Sequence, residues 1–211
     1  MIGVINYGAG NLGSVMNAFK RLGVPARFAA GPEELTGAGN AGGGNRGASP
    51  FEKIVFPGDG HFAAVMKALE ETGYAEALRE WIAADKPFLG ICVGLQLLFD
   101  SSGEAEGVKG LGVIPGTVKR FPGRKVPQIG WNQTAARPGS RLFRGLPENS
   151  FFYYIHSYYA EPRDNAVTAG ETEYRLRYCS AVERGGLAAV QFHPEKSGEA
   201  GLRLLENWVR A

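Results

Sequence analysis

One cysteine of this chain stands in a setting suited to nucleophilic chemistry. Cys92 lies in Gly90-Ile91-Cys92-Val93-Gly94, after the apolar run Pro87-Phe88-Leu89 and before Leu95-Gln96-Leu97-Leu98-Phe99. The pattern predicts a buried strand, a sharp turn that bears the cysteine, and then a helix, which is the layout of a nucleophile elbow. Such a turn leaves no room for Cβ atoms on either side of the nucleophile, which accounts for the two glycines. Unpaired N–H groups and the positive dipole end at the helix start favour the thiolate.

A histidine followed by a carboxylate supplies a candidate base for that thiol. His193 ends the run Ala189-Val190-Gln191-Phe192 and is followed by Pro194 and Glu195. The proline should stop the strand and leave the imidazole at its end. A carboxylate two residues later can return to the imidazole and fix its tautomer and orientation. We therefore predict a triad of Cys92, His193 and Glu195, brought together by the fold because its members are distant in sequence.

A third segment is suited to binding negative charge that develops on an oxygen. The apolar run Ile54-Val55-Phe56 leads into Pro57-Gly58-Asp59-Gly60, so a strand is predicted to end in a glycine-rich turn. Backbone N–H groups of such a turn can face an oxyanion, and one donor of this kind is worth about 10²–10³ in rate. We expect Gly58, Asp59 and Gly60 to line the site.

The second cysteine and the histidine beside the glycine-rich turn have no comparable setting. Cys179, in Tyr178-Cys179-Ser180, lacks an elbow and is expected to be a buried structural thiol. His61 has no carboxylate at a spacing that would orient it, so we expect it to begin a helix. Two cysteines form neither a disulfide framework nor a metal cluster, and no metal or cofactor is predicted.

Composition places the chain among ordinary globular proteins. Of its 211 residues, 44% are hydrophobic and 21% charged, and the net charge is +2. No basic stripe is interleaved with aromatic residues, which argues against nucleic-acid binding. The sequence starts directly with a strand pattern, and no run is long enough to span a membrane, so we expect a cytoplasmic protein. Length and composition predict a single domain over 1–211.

The first two-fifths of the chain alternate between strand and helix patterns. This alternation predicts an open, mostly parallel sheet with helices on both faces, as in flavodoxin-like folds. Ligands of such sheets bind beyond the carboxyl ends of the strands, so the turns after Asn6, Phe56 and Ile91 should surround one site. The predicted strands are 2–6, 26–29, 53–56 and the strand of the elbow, and the predicted helices are 11–22, 62–69 and 75–84.

The C-terminal half has shorter strands and more turns. Strand patterns at 117–121, 151–156, 167–172 and 187–192 favour antiparallel additions to the sheet, and an amphipathic helix is predicted over 199–210. Residues 37–48 are half glycine and contain almost no large apolar side chain, which predicts a flexible loop.

Together these segments resemble the class I, triad-type glutamine amidotransferases, and most closely the glutaminase subunits of imidazole glycerol phosphate synthases. The elbow with Gln96 and the Gln-Phe-His-Pro-Glu run carry the resemblance to the class. Further motifs carry the narrower one: Ile5-Asn6-Tyr7-Gly8-Ala9-Gly10-Asn11, Val126-Pro127-Gln128-Ile129-Gly130-Trp131-Asn132, Tyr154-Ile155-His156-Ser157-Tyr158, and Lys196-Ser197 after the glutamate. Their order and their spread from residue 2 to residue 209 make the match specific.

The resemblance implies a role for each matched position. Cys92 would be the nucleophile that attacks the glutamine side-chain amide, His193 the general base and acid, and Glu195 the residue that orients the imidazole. Gln96 and the stretch His156, Ser157 and Tyr158 would hold the glutamine. Asp59 departs from the pattern, because the family more often has an apolar residue there.

The resemblance also implies a partner. In this family the ammonia passes to a (β/α)₈-barrel cyclase subunit in a heterodimer, which uses it to make imidazole glycerol phosphate and aminoimidazole carboxamide ribonucleotide in histidine biosynthesis. Four residues match positions at the partner interface: Asn11, Trp131, Tyr153 and Lys196. Core packing is the alternative interpretation of Trp131 and Tyr153.

Three other functions compete with this interpretation. The first is a glutaminase subunit of another pathway, such as pyridoxal phosphate synthesis, and the Gly-Trp-Asn and Tyr-Gly-Ala-Gly-Asn segments argue against it. The second is a stand-alone γ-glutamyl hydrolase, which would be active without a partner. The third is a non-catalytic sensor that uses Cys92, and an intact Glu195 after His193 disfavours it, since a sensor thiol has no use for a triad.

Overall fold

The computed structural model of the chain describes residues 1–8, 12–37 and 48–211. The strands of this part run in chain order from β1 to β12. They are β1 (Ile2–Val4), β2 (Ala26–Phe28), β3 (Lys53–Gly58), β4 (Phe88–Cys92), β5 (Phe99–Ser102), β6 (Ile114–Arg120), β7 (Gln128–Ala136), β8 (Ser150–His156), β9 (Tyr158–Pro162), β10 (Thr168–Tyr174), β11 (Leu176–Arg184) and β12 (Leu187–Val190).

The sheet is parallel in its first half and antiparallel in its second. Its order is β2-β1-β3-β4-β12-β11-β10-β7-β8, with β5, β6 and β9 attached beside β11. Strands β2, β1, β3, β4 and β12 are mutually parallel, and the pairs from β12 to β8 are antiparallel. The predicted fold class, a mostly parallel open sheet with antiparallel additions in the C-terminal half, is confirmed.

Helices cover both faces of the parallel part, because its strands are apolar on both sides. They are α1 (Leu12–Arg21), α2 (Glu33–Thr36), α3 (Phe62–Thr72), α4 (Tyr74–Ala83), α5 (Val93–Gln96) and α6 (Gly198–Arg210). Successive residues of β3 point to opposite faces of the sheet. Ile54 and Phe56 pack in the core under α3 and α4, and Val55 packs in the core under α1 and α6. Within the described ranges, no helix has the length and apolar character needed to cross a membrane.

The sequence located most of these elements but misassigned the residues after the elbow. The helix that follows Cys92 ends at Gln96, and Phe99 already begins β5. Pairing explains the early end, because β5 lies parallel to β6 and the carbonyl of Leu98 accepts the N–H groups of Val113 and Ile114. Strands β7, β9 and β11 were not predicted. Asn11 and residues 38–47 of the predicted loop lie outside the described residues.

The chain packs most tightly around the turn that follows β4. A Cβ on Gly94 would lie 2.3 Å from the carbonyl oxygen of Phe56, and a Cβ on Gly90 would lie 2.5 Å from the carbonyl oxygen of Gly94. Both neighbours are backbone atoms of paired or adjoining segments, so they cannot move aside as a flexible side chain would. Close backbone approach therefore requires glycine at both positions, as the sequence predicted.

Replacing Gly94 by Ala should destabilise the fold. We expect a loss of about 1–3 kcal/mol in the free energy of unfolding, the usual cost of overpacking, measured by urea denaturation. The matched control is Gly13→Ala in α1. Apart from its chain neighbours and the backbone of its own helix, no described residue has an atom within 4 Å of the position that a Cβ on Gly13 would take. That variant should be neutral or more stable by up to about 1 kcal/mol, since alanine favours helices over glycine. Equal stabilities of the two variants would contradict the packing argument.

Candidate active site

Three strand ends meet at one edge of the parallel sheet. Gly58 at the end of β3 is paired with Cys92 at the end of β4, and Val190 at the end of β12 is paired with Ile91. The turn after β1 joins them, since the hydroxyl of Tyr7 donates a hydrogen bond to the Asp59 carbonyl. The predicted convergence of the turns after Asn6, Phe56 and Ile91 is thus present in the structure.

Cys92 occupies the sharp turn between β4 and α5. Its φ of 56° and ψ of −108° are unusual for a residue with a side chain, and such strain is a feature of nucleophile elbows. The thiol is 7% exposed, and the side-chain amide of Gln191 donates to its sulfur at 3.7 Å. Since α5 has only four residues, its dipole is small, and the side-chain amide of Gln191 is the donor that contacts the sulfur directly.

His193 and Glu195 form a buried pair next to this turn. His193 Nδ1 donates to Glu195 Oε1 at 2.8 Å, and the two side chains are 3% and 1% exposed. The other ring nitrogen, Nε2, is buried and has no hydrogen-bond partner among the described residues. A ring fixed through Nδ1, with Nε2 available, is the arrangement that a proton-transferring histidine requires.

The charges around His193 favour its protonated form. Burial is the largest single influence and lowers the pKa, but the interactions with Cys92 and Glu195 outweigh it and raise the pKa from 6.5 to about 10. The pKa of His193 is higher in the folded chain than in the unfolded chain, where it is about 6.5. Protonation of His193 therefore stabilises the fold fully at a pH below about 6.5. The stabilisation is lost as the pH rises through about 10.

The backbone of His193 is tied to strand β8. The His193 N–H donates to the carbonyl of Tyr153 at 2.9 Å. The buried hydroxyl of Ser197 accepts from the N–H of Tyr153 at 2.9 Å and donates to the carbonyl of His193 at 2.6 Å. These bonds fix the 3₁₀ turn Pro194–Lys196, which carries Glu195 back towards the imidazole.

A cavity of about 300 Å³ opens beside the thiol. This volume is at the lower end of the range for small-molecule sites. Polar side chains and backbone groups from several segments converge on it. The lining residues are Asp59, Gly60, Cys92, Val93, Gln96, Glu104, Ile155, His156, Ser157, Tyr158, His193 and Lys196.

The predicted substrate-holding residues reach this cavity in different ways. Gln96 is buried, and its side-chain N–H groups donate to the carbonyl of Tyr158 and to Gln191 Oε1. The imidazole of His156 is turned inwards, with Nδ1 bonded to the Tyr158 carbonyl at 2.7 Å and Nε2 within 3.1 Å of Gln128 and Tyr178. Burial lowers the pKa of His156 to about 4, so this histidine is neutral. Both side chains therefore shape the backbone of the 156–158 stretch.

Glu104 is a cavity residue that sequence reasoning missed. Its carboxylate lines the cavity and accepts the N–H of Phe62 at 2.7 Å, which holds it at the start of α3. The residue follows the end of β5, so a polar turn after a strand was the available signal. That signal was lost because Phe99 was assigned to a helix.

The remaining predicted residues lie at the rim of the cavity or outside it. Lys196 is exposed at the rim. Trp131 is 56% exposed and packs edge-on against the ring of half-buried Tyr153, so core packing is excluded for Trp131. His61 caps α3 by accepting the N–H of Ala63, and Cys179 is buried with its pKa raised by burial to about 11, as expected. Among the described residues, no three His, Cys, Asp or Glu side chains could hold a metal ion.

The model of the family described as glutamine amidotransferase class-I matches residues 4–211. The chain belongs to this family. Two similar relatives of the amidotransferase are imidazole glycerol phosphate synthase subunits HisH. The one from Dehalococcoides mccartyi is 42% identical over 100% of this chain and 97% of its own length. The one from Moorella thermoacetica is 46% identical over 98% and 93%.

Solved structures share the fold of this amidotransferase at lower sequence identity. A crystal structure described as a glutamine amidotransferase has a TM-score of 0.73 at 21% identity and covers 99% of this chain and 98% of its own. The structure of PurLQS from Thermotoga maritima has a TM-score of 0.71 at 14% identity, over 99% and 97%. At these identities the likeness concerns the fold alone.

Replacing Glu195 by Gln should lower the pKa of His193 towards 6.5, because the substitution removes one of the two charges that hold its proton. An NMR titration of the ring carbons measures this directly. The loss of stability with rising pH should begin at a lower pH in the variant. Glu206→Gln is the control and should leave the titration unchanged, because Glu206 pairs with Arg203 and Arg210 on α6 and not with His193. An unchanged pKa in Glu195→Gln would show that this carboxylate does not hold the proton.

Proposed function

We propose that this chain is the glutaminase subunit of an imidazole glycerol phosphate synthase, folded as a single domain over 1–211. The observation that carries the proposal is the full-length similarity to subunits of that name, joined to a buried Cys92 and His193 at one cavity, with Glu195 hydrogen-bonded to the imidazole behind them. The reaction is hydrolysis of glutamine to glutamate and ammonia, without a cofactor. Both cysteines are free thiols, which fits a reducing, cytoplasmic compartment.

The first half of the reaction forms a thioester. The Cys92 sulfur attacks the side-chain amide carbon of glutamine, and the carbonyl oxygen takes up negative charge facing the N–H groups of the 58–60 turn. Protonated His193 then gives its proton to the departing nitrogen, which leaves as ammonia. Glu195 keeps the imidazole aimed at that nitrogen throughout.

The second half releases glutamate. His193, now neutral, takes a proton from water, and the resulting hydroxide adds to the thioester carbon. The carbon–sulfur bond breaks and Cys92 leaves as the thiolate, while His193 keeps the proton that it took from water. The new γ-carboxyl group of glutamate loses its proton to solvent. The raised pKa of His193 suits this cycle, because the imidazole then holds the proton that the departing nitrogen needs.

The cavity offers complementary groups for the amino-acid end of glutamine. The carboxylate of Glu104 is suited to the α-ammonium group. It lines the cavity, and the N–H of Phe62 at the start of α3 holds it in place by a hydrogen bond. The polar backbone of residues 156–158 faces the same space and would align the chain of the substrate. Gln96 supports that stretch through the Tyr158 carbonyl.

Replacing Cys92 by Ala tests the chemistry in the assembled synthase. Glutamine-dependent synthesis should be abolished, whereas synthesis from added ammonium salts should remain, because the variant loses the ammonia source and not the cyclase. Cys179→Ala is the matched control and should keep both activities. Retained glutamine hydrolysis in Cys92→Ala would refute the assignment, and full activity of the isolated chain would favour a stand-alone hydrolase.

We propose further that the barrel cyclase docks on the outward face of β7 and β8. This hairpin buries Phe152 and Tyr154 on one side and exposes apolar side chains on the other. Cross-strand neighbours on the outward side include Ile129 with Ile155 and Trp131 with Tyr153. The exposed fractions are 61% for Ile129, 56% for Trp131, 53% for Phe151 and 42% for Ile155. An apolar face of this kind is typical of a protein interface.

The position of this face also suits ammonia transfer. Ile155 belongs both to the outward face and to the lining of the cavity, so a partner seated on the hairpin would cover the cavity mouth. Lys196 stands at the same rim. Ammonia released at Cys92 would then enter the partner without crossing bulk water.

Replacing Trp131 by Ala should weaken binding of the cyclase subunit. A buried tryptophan at the centre of an interface is worth at least about 2 kcal/mol, or roughly 30-fold in Kd, which calorimetric titration would measure. The control is Phe28→Ala, an aromatic 40% exposed on β2 at the opposite edge of the sheet. Thermal stability should change little in either variant. An unchanged Kd for Trp131→Ala would remove this face from the interface.

A further inference from the structure

We propose that Tyr7 is a positioning residue for the glutaminase reaction, which it serves by anchoring the 58–60 turn. The inference rests on the proposed function. The Tyr7 hydroxyl donates to the carbonyl oxygen of Asp59 at 3.2 Å. That carbonyl belongs to the peptide unit that joins Asp59 to Gly60, so the bond fixes the direction of the Gly60 N–H as well.

Few other contacts from the described ranges hold this turn. Gly60 has a φ of 128°, a conformation open to glycine and rarely adopted by other residues. The Asp59 side chain is exposed. The pairing of β3 with β4 holds Gly58 at the start of the turn. In the part of the chain that the structure describes, the further hydrogen bond to this turn comes from the Tyr7 hydroxyl. A turn that must present N–H groups in a fixed direction therefore depends on a donor from another strand.

Tyr7 is itself held firmly. Its ring packs against fully buried Phe56, with ring centroids 5.4 Å apart. The backbone before it is paired, since Ile5 N–H donates to the Val55 carbonyl, and Asn6 Oδ1 accepts the N–H of Gly8 in the turn that follows. A hydroxyl on so constrained a ring can act as a fixed support.

The hydroxyl also lies directly against the turn and close to the thiol. The Tyr7 hydroxyl oxygen lies 2.9 Å from the position that a Cβ on Gly58 would take. Gly58 is in turn the residue of β3 that pairs with Cys92. Burial, and then the charges of Asp59 and Cys92, raise the pKa of Tyr7 well above its usual range. The hydroxyl therefore keeps its proton, and so its ability to donate, at every pH where the enzyme would work.

The test is Tyr7→Phe in the complex with the cyclase subunit. This variant keeps the ring on Phe56 and removes the donor alone. We expect kcat for glutamine to fall roughly three- to tenfold, the rate equivalent of one hydrogen bond, with KM within about twofold. Synthesis from ammonium salts should be unchanged. The ratio of variant to wild-type kcat should stay constant between about pH 6 and 9, because the hydroxyl does not ionise there.

The matched control is Tyr74→Phe. Tyr74 donates a similar hydrogen bond, to the Ala29 carbonyl at 3.3 Å, at the start of α4 and away from the cavity. The Tyr74→Phe variant should keep the kcat of the wild-type complex even if its melting temperature changes.

Three results would overturn the proposal for Tyr7. They are an unchanged or increased kcat in Tyr7→Phe, a loss matched by Tyr74→Phe, and a ratio of rates that varies with pH. The last would indicate that Tyr7 transfers a proton. A wild-type complex that does not use glutamine would instead refute the proposed function.

Discussion

Close backbone contact between β3 and the turn after β4 is the constraint on which the rest of the site depends. The Phe56 carbonyl lies where a side chain on Gly94 would be, and Gly58 pairs with Cys92 two residues further along β3. This close approach accompanies the unusual backbone conformation of Cys92, and the pairing sets the glycine-rich turn beside its sulfur. The same strand thus determines the position of the thiol and of the N–H groups that would face the oxyanion.

His193, the proposed base, is positioned beside the thiol by a different set of contacts. Strand β12 lies parallel to β4, so its end delivers His193 to the same edge of the sheet. Beyond the strand, Ser197 and the backbone of Tyr153 hold the 3₁₀ turn that carries Glu195. Since Tyr153 also belongs to the hairpin whose outward face is the proposed docking surface, that surface and the base are separated by a single layer of hydrogen bonds. Docking and catalysis can therefore influence each other over a short distance.

Local sequence signals predicted the parts of this site that depend on backbone shape. The structure shows three such features: glycines at 90 and 94, a strand before Cys92, and a carboxylate two residues after His193 that bonds to its imidazole. Each is required by the local course of the backbone and is therefore visible in the local sequence. Contacts between distant segments left no such signal. Glu104 was missed because the apolar run through Phe99 fits a helix as well as a strand, and only pairing with β6 decides between them. The inward imidazole of His156 depends on Gln128 and Tyr178, from strands that sequence patterns did not reveal.

The central claim, that Cys92 is the thiol which attacks glutamine, can be tested by covalent labelling. The chloroketone analogue of glutamine alkylates a reactive thiolate by displacement of chloride, and peptide mass spectrometry locates the adduct. In the complex with the cyclase subunit we expect one adduct, on Cys92, and suppression of labelling by excess glutamine. Cys179 should remain unmodified, because it is 5% exposed and its pKa is raised to about 11. Labelling of Cys179, or labelling of Cys92 that glutamine does not suppress, would contradict the account.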